Sequence, residues 1–369
     1  MNKPRIIISG GGTGGHIFPA LSIANSVKEL CPEAEILFVG AIGKMEMERV
    51  PAAGYKIIGL PVAGLQRSLS LKNLALPFKV AKSVREASRI IQEFKPDVAV
   101  GVGGFASAPL LWSASHKGIP CLIQEQNSYA GLTNKILGKR AACICTAYEG
   151  MERFFPADRI LLTGNPIRKE IARPTAEQRA EGYQFYGLDP HKKTLFVVGG
   201  SLGCGTLNRV MRNWVENRAA GADYQVIWQC GKYYKAGVDE FMAGRQVPNL
   251  FYTDFIKRMD LAYAVADLLV SRAGAGTISE LCVAGKATIF VPSPNVAEDH
   301  QTHNAMALVR HDAALMVKDA DAVQSLLPTA LGLLGDPARI AAIEQNAGAM
   351  ALTNAAQDIV DEVYKLLGE

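Results

Sequence analysis

Residues 6–16 read IIISGGGTGGH. A β-branched run ends in a glycine cluster and a histidine, and a helical pattern starts directly after it at Pro19. Gly10, Gly11, Gly12, Gly14 and Gly15 permit positive φ and close backbone approach, and the following helix adds its positive amino end. Strand, glycine turn and helix in succession predict the opening unit of a doubly wound α/β domain, with bare amides turned toward an anion. A phosphate-bearing ligand is the first expectation. His16 adds possible chemistry beside it, because imidazole exchanges a proton near neutral pH.

Two familiar relatives of this loop fit poorly. Gly10, Gly12 and Gly15 satisfy G-x-G-x-x-G, but a dinucleotide enzyme places an acid at the end of the next strand, and here residues 36–39 end in Gly40. A P-loop places Lys and then Ser or Thr after the last glycine, where this chain has His16 and Ile17.

A chain of 369 residues exceeds the usual size of one core, which predicts two domains. Hydrophobic residues at 49% and charged residues at 20% fit a globular protein, and the start Met1-Asn2-Lys3-Pro4 carries no signal-peptide pattern, giving a cytosolic expectation. A net charge of +4 is too small to imply nucleic acid. Seven cysteines without a C-x-x-C pair suit buried thiols, so neither bridges nor a metal are expected. His300 and His303 lack a clear third ligand, and Asp319-Ala320-Asp321 is read as a capping segment. Between Arg67 and Lys95, basic residues interleave with Leu69, Leu71, Leu74, Leu76 and Phe78. Such a segment fits either an anionic membrane surface or a solvated helix with its apolar side on the core. The uncharged run 98–115 is read as a buried strand, loop and helix, not a membrane span.

Short apolar runs at 6–9, 36–39, 57–60, 98–100, 121–124, 143–146 and 160–163 alternate with helical patterns and predict a parallel sheet covered on both faces. The plan restarts at 195–198, followed by Gly199-Gly200-Ser201-Leu202-Gly203, with further strands expected at 225–229, 250–253, 268–271 and 288–291. Two Rossmann-like doubly wound domains, 1–164 and 165–345, would enclose an interdomain cleft faced by both glycine loops. Residues 346–369 read as a terminal helix packing back on the first domain. The segment 271–280, SRAGAGTISE, is a second small-residue turn entering a helix. Its Glu280 suits either a ribose diol or the helix dipole.

Seven segments carry a resemblance: GGGTGGHIFPA from Gly10, GVGGFASAP at 101–109, IQEQNSYAGLTNK at 123–135, GNPIR at 164–168, VVGGSLG at 197–203, RAGAGTISE at 272–280 and PSPNVAEDHQTHNA at 292–305. In this order, across nearly the whole chain, they resemble the MurG family, peripheral-membrane N-acetylglucosaminyltransferases of bacterial peptidoglycan synthesis. The resemblance implies a GT-B fold and transfer of N-acetylglucosamine from UDP-N-acetylglucosamine to lipid I, the undecaprenyl-diphosphate-linked N-acetylmuramyl pentapeptide, giving lipid II without a cofactor or metal.

By position in the matching motifs, Ser201 and the amides of Ala275, Gly276 and Thr277 would hold the donor diphosphate, Glu280 the ribose, Ile256 in DFIKRM the uracil through its backbone, and His300 and Gln301 the sugar hydroxyls. Arg168 would lie near the nucleotide, with Thr13, Gly14, Gly15 and Asn127 reaching the donor from the first domain. Gly12, Thr13, Gly14, Gly15, Gly103 and Gly104 would cradle the acceptor diphosphate. His16 would act as the base on the muramyl 4-hydroxyl or donate a hydrogen bond to phosphate, and Glu125 is the alternative base. The family's lipid substrate makes Leu74, Leu76, Phe78, Lys79 and Lys82 the docking surface, on the cytoplasmic face of the cell membrane. Leu202, Phe105 and His300 depart from residues common in the family. The competing readings are a UDP-N-acetylglucosamine 2-epimerase-like isomerase, which shares fold and donor but has no lipid acceptor, and a non-catalytic nucleotide-sugar binding protein.

Overall fold

The computed structural model describes residues 3–62, 76–217 and 221–368, with the side chains of residues 76–78 excepted. The chain forms two compact units, one of Met1–Ile167 with Leu352–Glu369 and the other of Arg168–Ala351.

The first unit is a seven-stranded sheet. In chain order its strands are β1 (Arg5–Ser9), β2 (Glu35–Ala41), β3 (Lys56–Leu60), β4 (Val98–Gly101), β5 (Cys121–Glu125), β6 (Cys143–Thr146) and β7 (Ile160–Leu162). Their order across the sheet is β3-β2-β1-β4-β5-β6-β7, every pair parallel. Alternation along β1 divides its side chains between two cores. Ile7 joins Val39, Ala99 and Ile123 under Ile90 and Ile91 of α3 (Leu76–Phe94) and Leu110 and Leu111 of α4 (Ser107–His116). Ile6 and Ile8 point the other way, onto Ile23 and Val27 of α1 (Gly14–Leu30) and onto Ile359, Val360 and Val363 of the terminal helix. Burying these last three contributes on the order of 5 kcal/mol, comparable to the net stability of a domain. The helices α2 (Glu46–Ala52) and α5 (Leu132–Leu137) complete the unit.

The second unit repeats the plan with β8 (Thr194–Val198), β9 (Gln225–Gln229), β10 (Leu250–Thr253), β11 (Leu268–Ser271), β12 (Thr288–Phe290) and β13 (Leu315–Met316). They are ordered β10-β9-β8-β11-β12-β13, again all parallel. Its helices are α6 (Ala176–Tyr186), α7 (Gly205–Asn217), α8 (Lys235–Met242), α9 (Met259–Val265), α10 (Ala275–Ala284), α11 (His300–Val309), α12 (Ala322–Leu334) and α13 (Pro337–Ala349). The helix α14 (Ala355–Leu367) returns to the first unit and packs on α1.

The expected doubly wound plan and the run 98–115 as strand, loop and helix agree with this architecture. Three details differ. The unit boundaries fall at 167/168 and 351/352, not 164/165 and 345/346, because α13 is continuous to Ala349 and packs on α10. The strands β7 and β10 are only partly covered, since each lies at a sheet edge. The two-residue edge strand β13 is too short to give an apolar run. Among the described residues no single helix is long and apolar enough to cross a membrane.

Candidate active site

Both sheets have the strand order whose direction of winding reverses beside the first strand, and ligands of such sheets sit beyond the carboxyl ends of the strands at that point. In the first unit the reversal lies between β1 and β4, followed by the loops at 10–13 and 102–106. In the second it lies between β8 and β11, followed by the loops at 199–204 and 272–274. The glycine-rich motifs of the sequence occupy these four loops.

In the first unit, Thr13 is the extended residue before α1, and the carbonyl of Thr13 accepts the amides of His16 and Ile17. Gly14 and Gly15 lie in the first turn of α1, where amides have no partner within the helix. Gly12 has φ +86°. Its amide donates to Glu46 Oε2 at 2.9 Å, while Glu46 Oε1 accepts from the Ala41 amide at 2.9 Å. An internal carboxylate thus already takes the Gly12 amide. Glu46 is fully buried, and a Cβ on Gly40 would lie 2.5 Å from its Cγ. A dinucleotide enzyme would carry its acid at the end of β2, where this chain has Gly40; here the acid stands six residues later, at the start of α2, and Gly40 makes room for it.

His16 is half-buried, with Nδ1 3.1 Å from the Gly11 carbonyl oxygen and 3.2 Å from Thr13 Oγ1. A carbonyl can only accept, so the contact assigns the proton to Nδ1 and makes Nε2 the basic nitrogen of the neutral ring. The loop after β4 closes against this one. Gly104, at φ +86°, packs on the Gly11 backbone so closely that any Cβ would overlap it, and a Cβ on Gly103 would lie 3.0 Å from His16 Nε2. Ser107 Oγ, 2.8 Å from both the Ser9 and Gly103 carbonyl oxygens, ties the two loops together.

Glu125 is only 2% exposed, at the end of β5. Its Oε1 accepts from the amide of Asn127 at 3.0 Å and from Asn127 Nδ2 at 3.3 Å, and its Oε2 from the Gly131 amide at 3.1 Å and Asn134 Nδ2 at 2.9 Å. Burial raises the pKa of this carboxyl, and the four donors work against that rise. With its lone pairs engaged, Glu125 is built to shape the 126–131 turn and orient Asn127.

In the second unit, Ser201 and Leu202 are exposed in the turn after β8, which is held by bonds from the Lys232 amide to the Ser201 carbonyl and from the Tyr233 amide to the Leu202 carbonyl. Ala275, Gly276 and Thr277 form the first turn of α10 and present its amides. Arg272 lies just before them. It donates to the carbonyls of Val291 and Pro292 at 2.9 Å and pairs with Asp319 at 2.6 Å, and Asp319 also accepts from Thr206 Oγ1 at 3.0 Å. The capping reading of 319–321 is corrected: Asp321 precedes α12 without a side-chain cap, and Asp319 fastens the Arg272 loop.

Glu280 and Arg168 meet in a bidentate pair, Nε to Oε1 and Nη2 to Oε2 at 2.7 Å each, and the buried Tyr263 hydroxyl donates to Oε2 at 3.2 Å. Burial disfavours charge on Arg168, but the hydrogen bonds and charge of Glu280 outweigh it and raise its pKa. Burial, then Glu280, holds the Tyr263 hydroxyl well above its ordinary pKa, so it remains a donor. Tyr263 carried no sequence signal, lying among the apolar Leu261, Ala262, Ala264 and Val265 of α9. Ile256 is 2% exposed, and its segment is fixed by Tyr186, whose hydroxyl donates to the Arg258 carbonyl at 2.8 Å. His300 opens α11 with Nδ1 2.8 Å from the Ala297 carbonyl oxygen, and Gln301 Oε1 accepts from the Ser293 amide at 2.8 Å. Glu298 and Asp299 before them have φ of +53° and +50°, an uncommon conformation for residues with a Cβ.

A cavity of about 500 Å³ lined by Asp189, Lys192, Gln225, Arg245 and Asn249 opens at the amino ends of β9 and β10, the opposite edge of the sheet from Ser201. Among the described residues no group of three His, Cys, Asp or Glu side chains could hold a metal ion. Of the expected docking residues, Leu74 lies outside the described residues, as do the side chains of Leu76 and Phe78. Lys79, Val80 and Lys82 are exposed on the first turns of α3, whose later Ala87, Ile90 and Ile91 enter the core. The later half of α3 thus packs on the core, while the described side chains of its first turns are exposed.

The chain matches the glycosyltransferase family 28 N-terminal domain over residues 6–146 and its C-terminal domain over residues 194–363. It is 54% identical over 367 residues to the UDP-N-acetylglucosamine–N-acetylmuramyl-(pentapeptide) pyrophosphoryl-undecaprenol N-acetylglucosamine transferase of Parabacteroides distasonis, covering 100% of this chain and 99% of the relative. The crystal structure of Acinetobacter baumannii MurG superposes with a TM-score of 0.79 at 26% identity, over 98% of this chain and 99% of that one. A UDP-N-acetylglucosamine 2-epimerase superposes with a TM-score of 0.62 at 14% identity, over 100% of this chain and 97% of that one, a likeness of fold alone.

Proposed function

The chain belongs to the MurG family of N-acetylglucosaminyltransferases within glycosyltransferase family 28, and on that basis we infer the reaction its residues perform. The protein transfers N-acetylglucosamine from UDP-N-acetylglucosamine to lipid I and so forms lipid II for peptidoglycan. The observation that carries this is the 54% identity to a transferase of that name over the full length of both chains, a likeness that spans both units and all four loops. The epimerase reading rests only on shared fold.

The second unit takes the donor. The first-turn amides of α10 and the Ser201 turn hold the diphosphate, Glu280 the ribose, the backbone at Ile256 the uracil, and His300 and Gln301 the sugar hydroxyls. The first unit takes the acceptor diphosphate on the amides of Gly14 and Gly15 at the α1 amino end, with Thr13 and the 103–104 turn beside them. Asn127, oriented by Glu125, lines the same face. In the transfer, His16 Nε2 accepts the proton of the muramyl 4-hydroxyl, whose oxygen forms the new bond to the anomeric carbon from the side opposite UDP. The bond from that carbon to the phosphate oxygen breaks, and UDP leaves with the electron pair, giving a β-1,4 linkage. Charge developing on UDP is met by the α10 amino end and Arg168, so the scheme calls on no metal.

Transfer of labelled N-acetylglucosamine from UDP to a short-chain acceptor analogue, in the presence of EDTA, tests this reading; steady product formation is expected, and a well-folded protein giving none overturns it. The exposed Lys79 and Lys82 on α3 support docking on an anionic membrane surface, each contributing about 1 kcal/mol near it. The double substitution Lys79→Glu/Lys82→Glu is expected to weaken sedimentation with anionic vesicles at least about tenfold while turnover of the short-chain analogue is retained. Equal vesicle binding by the two proteins rejects that surface.

A further inference from the structure

Glu46 is a fully buried carboxylate inside the loop read as an anion site, and none of the roles above uses it. Among the described residues it has no basic side chain within ion-pair distance. Its two oxygens are satisfied by backbone amides alone, Gly12 on one side and Ala41 on the other, each at 2.9 Å. Two glycines accommodate it: any Cβ on Gly11 would overlap the carboxylate, and one on Gly40 would lie 2.5 Å from Cγ. A buried charge of this kind is retained only where it is hydrogen-bonded, and the arrangement costs desolvation that an apolar side chain of the same size would avoid.

What the carboxylate fixes is the path of Gly11–Gly12. Its bond to Gly12 pins a residue at φ +86°, and the neighbouring Gly11 carbonyl is the acceptor that orients His16 Nδ1 at 3.1 Å. The chain of contacts therefore runs from the end of β2 through Glu46 to the loop, and from the loop carbonyl to the imidazole. We propose that Glu46 is a positioning residue for the transfer, setting the ring orientation and tautomer of His16 through the Gly11–Gly12 backbone. This rests on the reading of His16 as the base.

Glu46→Gln keeps the shape but turns an amide NH₂ toward one of two amide donors, so one of the bonds is lost. The full-length protein carrying it is expected to show kcat on the short-chain acceptor reduced at least about tenfold, with UDP-N-acetylglucosamine affinity by calorimetry within about twofold of wild type. Glu46→Asp, which retains the carboxylate, is expected to recover part of that loss. The deciding readout is the double substitution with His16→Ala: if Glu46 acts through His16, adding Glu46→Gln costs nothing further. Losses that multiply in the double variant, wild-type kcat in Glu46→Gln, or equal falls in donor affinity and kcat overturn the proposal. Should Glu46→Gln fail to fold, the cycle is run with Glu46→Asp, where unreduced kcat or multiplying losses overturn it equally. An inactive wild type counts against the transferase reading itself, and an undiminished His16→Ala against the base assignment; both are separable from failure at Glu46.

Discussion

Replacing His16 with alanine is expected to lower kcat for transfer to a short-chain acceptor by about 10²–10⁴-fold, the range general-base assistance supplies, with donor affinity unchanged because His16 itself is assigned no donor contact in the proposed scheme. The geometry sets the terms of this expectation. Nδ1 faces the Gly11 carbonyl oxygen at 3.1 Å, which commits it as a donor and makes Nε2 the proton acceptor of the neutral ring. Nε2 lies against the Gly103 turn, where a Cβ would stand at 3.0 Å, so only glycine fits beside it. A histidine that only donated to phosphate would behave otherwise: its loss would appear in the acceptor KM, and kcat/KM would not fall as the pH is lowered through imidazole protonation. The base reading requires the reverse, an acid limb in the wild type that disappears in His16→Ala together with most of kcat. Glu125, buried under four donors, is expected to fail as a substitute base. Its removal releases the 126–131 turn, so Glu125→Gln lowers activity without abolishing the acid limb set by His16.

The sheet plan was legible because parallel strands buried on both faces write themselves as short apolar runs. Ile6, Ile7 and Ile8 are all fully buried although they face opposite cores. The glycine loops were legible for a related reason: at Gly12 and Gly104 the backbone takes positive φ, and glycine is the residue that accepts this without strain. Contacts between segments distant in sequence were not. Glu46 looks like any acid in the first turn of a short helix, and only the fold brings it 34 residues back to Gly12. Asp319 reads as a cap until β11 and α7 place Arg272 and Thr206 against it. Glu125 shows why residue type alone misleads. A carboxylate beside asparagines suggests a base, yet the turn folds its own amides onto both oxygens. Arg168 and Glu280, 112 residues apart, were each placed near the nucleotide, but nothing in the order of residues shows that they bind each other.

That pairing makes the donor site a competition, and Glu280→Ala is expected to weaken UDP-N-acetylglucosamine binding about 100-fold. A carboxylate offers about four acceptor positions. Three are taken, two by Arg168 at 2.7 Å and one by the Tyr263 hydroxyl at 3.2 Å. On the proposed ribose role a diol donating twice needs two, so Arg168 or Tyr263 would release at least one as the nucleotide enters. Two hydrogen bonds to a charged acceptor contribute about 3 kcal/mol together, which converts to roughly 150-fold in affinity. Arg168→Ala removes the competitor along with a cation near the diphosphate, so its effect on donor affinity is expected to be smaller, within about tenfold. Folding is a separate matter. Loss of Glu280 leaves the buried Tyr263 hydroxyl without its acceptor, at a cost of about 1–3 kcal/mol, which a thermal melt will show as a lowered but cooperative transition. The discriminating ligand is a 2′-deoxyribose analogue of the donor: wild type should bind it well below UDP-N-acetylglucosamine, while Glu280→Ala should bind the two alike. A carboxylate present only to anchor Arg168 would leave the preference for the ribose hydroxyl equal in both proteins, and that result would remove Glu280 from the donor site.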